Sequence, residues 1–174
     1  MPSEVFATLV FIFTELMFFG GLVSAHTITR SLWPVWPPPG QPRLPIEATA
    51  FNTAVLVASA ALLAVAGRRP DISLARGPFT GAMLLGAFFL VAQGYEWVGL
   101  LGEGLTLHSS NHGAFFYLIV GIHALHVTAG LGVLGWLRGH LVRGTLTESA
   151  FQAGRIYWYF VVLLWPVLYW RVYL

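Results

Sequence analysis

The sequence predicts an all-α, polytopic membrane protein built as a bundle of five transmembrane helices. Two observations support this fold class. The chain of 174 residues is 57% hydrophobic and only 9% charged, whereas soluble domains carry roughly 25% charged residues. The chain also contains five apolar segments long enough to cross a bilayer, since a spanning helix needs about 20 residues.

These segments are expected to form a single domain over residues 1–174. The first segment is too long, and too polar at Glu15, for a cleaved signal peptide, and no basic residues precede it. The first connection, residues 30–45, holds six prolines, so it is not helical through its length. The predicted helices lie near residues 5–29, 47–66, 78–101, 113–137 and 156–173.

The distribution of arginine predicts the orientation of the bundle. All nine basic residues are arginine. If successive connections alternate between the two sides, one side carries Arg68, Arg69, Arg76, Arg138, Arg143 and Arg155, and the other side carries Arg30, Arg43 and Arg171. Because positive residues favour the cytoplasmic side, we expect a cytoplasmic N-terminus and an external C-terminus. The small net charge of +2 does not indicate binding to nucleic acid.

The candidate functional residues are five polar side chains within the apolar segments: Glu15, Gln93, Glu96, His123 and His126. The rise of an α-helix places Glu15 and His126 at nearly the same depth, roughly 20 Å below the outer surface. It places Gln93 and His123 at roughly 12 and 15 Å, with Glu96 near the boundary. Because ionisable groups inside a membrane face the bundle interior and find partners, we expect contacts between Glu15 and His126 and between Gln93 and His123.

The simplest role for these side chains is to join helices by hydrogen bonds. A proton or ion pathway through Glu15 and His126 is the alternative. A haem site is disfavoured, because His123 and His126 lie on one helix and His26 is about 10 Å shallower than His123. The absence of cysteine excludes thiolate metal sites. We therefore expect no catalytic, metal-binding or cofactor-binding residue in this chain.

Small residues indicate where helices pack closely. The fourth segment carries them at spacings of three and four, at Gly121, Thr128, Gly132 and Gly135. Such a ridge permits close helix contact in a membrane, so we expect these residues to pack inside the bundle. The second segment carries Ala54, Ala58 and Ala61, and we expect these alanines at a surface that contacts a partner.

Five motifs in order resemble subunit III of the haem–copper oxidases, the cytochrome c oxidase subunit III family, over essentially the whole chain. Each motif is weak alone, but five at compatible spacings are specific. They are FTELMFFGGLVSAH, WPPPGQPRLPIEATAFNTAVLVASA, QGYEW, GAFFYLIVGIHALHVTAGL and ESAFQAGRIYWYFVVLLWPVLY.

The resemblance implies a non-catalytic subunit of a terminal oxidase in the respiratory chain, in the cytoplasmic membrane of a bacterium. Such a subunit flanks catalytic subunit I, supports proton uptake and sustained turnover in aerobic respiration, and holds phospholipid. Haem and copper are then expected in partner subunits rather than in this chain. Subunits II and IV and a larger respiratory supercomplex are further possible partners.

Two departures from the family pattern stand out. Where the family usually has histidine and aspartate on the last helix, this chain has Tyr159 and Val162. The chain also lacks the two N-terminal helices of seven-helix members, so it resembles the short, five-helix form. Within the resemblance, an accessory subunit of nitric oxide reductase is the alternative. Outside it, the alternatives are a small transporter or proton channel and, last, a stand-alone haem enzyme.

Overall fold

The computed structural model describes residues 1–68 and 72–174, with the backbone alone for residues 72–74. Arg69, counted above in the orientation argument, lies outside these residues. The described chain folds into α-helices without strands. The helices are α1 (Ser3–Ser31), α2 (Ile46–Gly67), α3 (Ile72–Gly102), α4 (Asn111–Arg143) and α5 (Glu148–Tyr173).

All five helices are longer than the apolar segments that predict them, and α3, α4 and α5 differ most. α3 begins at Ile72, α4 continues to Arg143, and α5 begins at Glu148. An apolar segment ends where polar residues begin, whereas a helix ends where its backbone is capped. Gly144 terminates α4 with a φ of 70°, and the Thr147 side chain accepts a hydrogen bond from the Ala150 N–H at the start of α5.

The fifth helix is the centre of the bundle. α5 packs against α1, α2 and α4, while α2 and α3 form a closely packed antiparallel pair and α3 also contacts α4. α1 contacts only α5 and α4, so much of its surface faces outward. The packing around α5 therefore positions α1, α2 and α4 relative to one another.

Within the described residues, four helices are long and apolar enough to cross a membrane. They are Ser3–Ser31, Ile46–Gly67, Ala75–Gly102 and Asn111–Arg143. The same criteria do not select α5, whose hydropathy is lowered by four tyrosines and three tryptophans. The structure thus supports a multi-pass membrane protein with four apolar spanning helices.

Trp158 of α5 connects three neighbouring helices. Its side chain is fully buried, and its indole N–H donates a hydrogen bond of 3.0 Å to the Ser59 hydroxyl on α2. A Cβ added at Gly86 on α3 or at Gly130 on α4 would lie 2.7 or 2.8 Å from the indole ring, closer than van der Waals contact allows. The two glycines therefore create the space that the ring occupies.

The predicted ridge of α4 is only partly a packing surface. Gly121 and Gly135 approach Trp97 and Met83 at 3.7 Å, measured from a Cβ built at each glycine. Gly132, in contrast, is exposed, and a Cβ there meets no atom within 4 Å. Thr128 is also exposed, and its hydroxyl donates to the Ala124 carbonyl of its own helix at 2.8 Å.

The expectation that Gly132 and Thr128 pack inside the bundle is therefore wrong. The buried stripe of α4 contains His123, Val127, Gly130 and Leu134. Gly132 follows Gly130 by two residues, which turns it about 200° around the helix axis. Spacing alone identifies a smooth ridge but does not identify which side of the helix faces the bundle.

This difference between neighbouring glycines gives a matched pair of variants. We expect Gly130→Ala to lower the free energy of unfolding by about 1–3 kcal/mol, since the added methyl overpacks the site against Trp158. Gly132→Ala should cause no loss, because its methyl enters open space. Unfolding in mixed detergent and SDS micelles would measure both. Equal destabilisation by the two variants would contradict the assignment of Gly130 as the packing glycine.

Candidate functional site: the polar connections between helices

Glu15 and His126 connect α1 with α4. The Glu15 Oε2 atom lies 3.1 Å from the His126 Nε2 atom, and both side chains are largely buried, with 17% and 13% exposure. Among the described residues, no other hydrogen bond or ion pair joins these two helices. The two residues that the helix rise places at one depth are therefore in direct contact.

The surroundings of His126 determine which of its nitrogens faces Glu15. The Nδ1 atom lies 2.8 Å from the Ile122 carbonyl of the preceding turn. A carbonyl only accepts, so Nδ1 carries a proton and donates to it. Nε2 then either accepts from a neutral Glu15 carboxyl group or, in an imidazolium ion, donates to its carboxylate. The Tyr157 hydroxyl of α5 donates to the His126 main-chain carbonyl at 3.1 Å, which brings a third helix to the same place.

A second polar connection joins α2, α3 and α5 near the start of α2 and the ends of α3 and α5. Glu96 Oε2 accepts hydrogen bonds of 2.8 Å from the Thr49 hydroxyl and 3.0 Å from the Gln93 side-chain amide. The same amide nitrogen of Gln93 lies 3.1 Å from the Tyr173 hydroxyl, to which it donates. Gln93 and Glu96 share one face of α3, as their spacing of three residues predicts.

The expected contact between Gln93 and His123 is not formed. Gln93 instead bonds to Glu96 and Tyr173. The His123 ring stacks on Trp165 at a centroid distance of 4.8 Å and meets the edge of Phe89 at 6.2 Å. Neither ring nitrogen of His123 has a hydrogen-bond partner among the described residues. Depth along the helices does not include the aromatic side chains of α5, of which Trp165 contacts His123 and Tyr173 contacts Gln93.

Sequence reasoning missed the polar bonds made by these aromatic residues. The Trp165 indole N–H donates to the Thr53 hydroxyl at 2.8 Å, and the Tyr169 hydroxyl donates to the Ile46 carbonyl at 3.0 Å. Together with the bond from Trp158 to Ser59, they attach α5 to α2 along its length. The sequence feature that could have predicted such bonds is the presence of Ser and Thr on α2 together with Trp and Tyr on α5.

The structure also shows where Tyr159 and Val162 lie, the two residues that replace the usual histidine and aspartate of the family. Val162 is buried in the apolar core, with 1% exposure. Tyr159 lies beside Arg155 of its own helix, which donates to the Tyr159 hydroxyl at 3.4 Å. In the part of the chain that the structure describes, no group of three or more His, Asp or Glu side chains is arranged to hold a metal ion.

The fold and its polar connections define an integral, multi-pass membrane protein of helical-bundle type. A family model for cytochrome c oxidase subunit III matches residues 4–174. The probable cytochrome c oxidase subunit 3 of Mycobacterium leprae is 33% identical over 173 residues, which cover 95% of this chain and 85% of that protein. Cytochrome c oxidase subunit 3 of a Synechocystis species is 34% identical over 180 residues, covering 98% and 75%.

The similarity extends to a third bacterial relative, cytochrome c oxidase subunit 3 of Corynebacterium diphtheriae, which is 32% identical over 178 residues and covered to 85%. The chain therefore belongs to the cytochrome c oxidase subunit III family. It is a non-catalytic membrane subunit of a haem–copper oxidase and part of a complex with other oxidase subunits.

Proposed function

We propose that this chain stabilises catalytic subunit I of the oxidase and supports its proton uptake, with haem and copper confined to the partner subunits. The observation that supports this role is how the intramembrane polar groups are used. Glu15, Gln93, Glu96 and His126 each bond to a side chain of the same bundle. In this proposal the five candidate residues, His123 included, serve the internal structure rather than chemistry on a substrate.

The proposal includes α5 as a fifth membrane span and a cytoplasmic N-terminus in the inner membrane of a bacterium. Contacts between helix ends support an up-and-down arrangement. Arg76 near the start of α3 donates to the Val142 carbonyl near the end of α4, and Arg30 near the end of α1 donates to the Leu174 carbonyl after α5. The arginine-poor end then faces outward, as the positive-inside rule requires.

An exposed apolar face of α2 is proposed to contact subunit I. Ala54, Ala58 and Ala61 are all exposed on this helix, beside Phe51 with 65% and Val57 with 44% exposure. Small residues allow the backbone of a partner helix to approach closely. The stripe of alanines therefore matches the requirements of a helix interface within lipid.

We expect Ala58→Trp to reduce the amount of this subunit in the purified complex. A lost contact of about 1.4 kcal/mol corresponds to roughly tenfold weaker retention. Leu125→Trp is the control, since Leu125 on α4 is 66% exposed and lies on a helix that does not contact α2. Densitometry of the purified complex compares the two. Equal retention of wild type and Ala58→Trp would exclude this face as the interface.

Phospholipid is the remaining proposed ligand. An apolar groove of about 840 Å³ lies among α1, α4 and α5 and includes Phe11, Gly132, Trp136 and Tyr157. A mainly hydrophobic groove on the surface of the bundle suits an acyl chain.

Purification through a tag on this chain tests the main proposal. A large polytopic partner with haem and copper is the expected result. Recovery of a partner that lacks copper, or of the chain without subunit I, would contradict the proposed role in stabilising that subunit.

A further inference from the structure

The polar connection at Glu96 contains two short contacts that share one hydroxyl group. The Thr49 Oγ1 atom lies 2.8 Å from the Glu96 Oε2 atom and also 2.8 Å from the Pro45 carbonyl oxygen. Both distances are typical of O–H···O hydrogen bonds, so each contact requires a hydrogen between its two oxygens. The Thr49 hydroxyl carries only one hydrogen, whereas a carbonyl and an ionised carboxylate only accept. An ionised Glu96 therefore leaves one of the two contacts without a hydrogen.

The hydrogens of the neighbouring groups are directed elsewhere. The side-chain amide nitrogen of Gln93 lies 3.0 Å from Glu96 Oε2 and 3.1 Å from the Tyr173 hydroxyl oxygen, which uses its two N–H groups. The main-chain N–H of Thr49 donates to the Pro45 carbonyl at 3.0 Å, so this carbonyl acts purely as an acceptor. The second hydrogen that the two contacts require then belongs on the Glu96 carboxyl group.

The surroundings of Glu96 do not favour a negative charge. The residue is half-buried in the apolar span Ala75–Gly102, and in the part of the chain that the structure describes no cation lies within 4.0 Å of its carboxyl group. The titratable group that faces it from α5 is the Tyr173 phenol, with the Tyr169 ring 5.5 Å away from the Tyr173 ring. From α2 it meets the Thr49 hydroxyl, and no described side chain of α4 bonds to it. A carboxylate without a cation is costly inside a membrane.

We propose that Glu96 is a proton-binding site and that its carboxyl group holds the proton at neutral pH. The bond from Thr49 to Glu96 described above applies to an ionised carboxylate. In the neutral acid, Glu96 donates from Oε2 to the Thr49 hydroxyl, which in turn donates to the Pro45 carbonyl. Each 2.8 Å contact then contains one hydrogen, and no heavy atom has to move. The Gln93 N–H still donates to the same carboxyl oxygen.

Protonation of this site is linked to the first turn of α2. The proton comes from the aqueous phase at the end of the bundle where α2 begins. When Glu96 loses the proton, the single hydrogen of the Thr49 hydroxyl turns from the Pro45 carbonyl to the carboxylate. Pro45 is the residue that precedes α2, so proton loss removes a hydrogen bond at the start of that helix.

Infrared spectroscopy of the purified oxidase complex at neutral pH tests the proposal. A protonated carboxyl group has a C=O stretch that is separate from the two stretches of a carboxylate and that shifts in D2O. We expect the difference spectrum between wild type and Glu96→Gln to contain the acid band of one carboxyl group and no pair of carboxylate bands. A pair of carboxylate bands in its place would overturn the proposal.

Glu96→Gln should also retain the subunit in the complex as wild type does. Its amide N–H donates to the Thr49 hydroxyl and its carbonyl accepts from Gln93, as the neutral acid does. Densitometry of the purified complex measures retention. Loss of the subunit would contradict the proposal, because a neutral group of the same shape would then fail to replace the native side chain.

Two further variants assign the acid band to Glu96. Glu103→Gln is the matched control, because Glu103 is exposed immediately after α3, and its difference spectrum should contain carboxylate bands. Loss of an acid band in this control as well would overturn the assignment. Thr49→Val removes the acceptor of the proposed bond and should shift the acid band. An unchanged band position would contradict the bond from Glu96 to Thr49.

Discussion

Replacing Trp158 with alanine is expected to destabilise the bundle more than any other single truncation. The side chain is fully buried, and it contacts α2, α3 and α4 from the central helix. Truncating a buried tryptophan to alanine typically costs about 3–5 kcal/mol. Gly86 and Gly130, which lack side chains, have nothing with which to fill the resulting cavity.

Two further variants show how much of the lost stability comes from packing. One removes the hydrogen bond but keeps a ring, and the other removes an exposed tryptophan. Trp158→Phe keeps most of the ring contacts but loses the hydrogen bond to Ser59, so it should cost about 1 kcal/mol for the bond plus the smaller ring. Trp170→Ala removes a tryptophan that is 62% exposed on the same helix, and it should change stability by no more than about 0.5 kcal/mol. Unfolding in mixed detergent and SDS micelles measures all three. Similar losses for Trp158→Ala and Trp170→Ala would show that Trp158 is not central to the packing.

The helical fold was predictable because composition and length suffice for it. A helix satisfies its own backbone hydrogen bonds inside lipid, so each long apolar segment predicts one helix regardless of its neighbours. The first and last residues of the helices were less predictable, because capping residues such as Thr147 and Gly144 lie in polar sequence beyond the apolar segments. The side of a helix that faces its neighbours was the least predictable feature, as the exposure of Gly132 demonstrates.

The polar connections show the same difference, because one contact expected from the sequence forms and the other does not. Glu15 and His126 were matched by depth alone, and their contact requires only that the two helices be adjacent. Gln93 and His123 were matched in the same way, but aromatic residues of α5 contact each of them and change the outcome. Trp165 stacks on His123, and Tyr173 bonds to Gln93. Depth along a helix follows from sequence, whereas a contact also depends on which third helix fills the space.

The pair of Glu15 and His126 provides the sharpest test of a structural role against a proton relay. His126 already donates from Nδ1 to the Ile122 carbonyl, so only Nε2 remains for Glu15. We expect Glu15→Ala to leave Nε2 without a partner, at a cost of about 1–3 kcal/mol. Because no other polar bond joins α1 to α4 among the described residues, α1 should detach more readily and the subunit should be lost more easily in detergent.

Glu15→Gln distinguishes the two roles because an amide can hydrogen-bond but cannot relay a proton. Its N–H donates to a neutral Nε2, and its carbonyl accepts from a protonated one, so the connection survives either protonation state of His126. If the pair is structural, Glu15→Gln keeps wild-type subunit content and initial oxidase turnover, while Glu15→Ala loses subunit. Both variants should be assayed for oxygen consumption and for subunit retention in the same preparation. Abolished initial turnover in a Glu15→Gln complex that retains the subunit would overturn the structural role, because such a complex has lost only the ability to pass a proton.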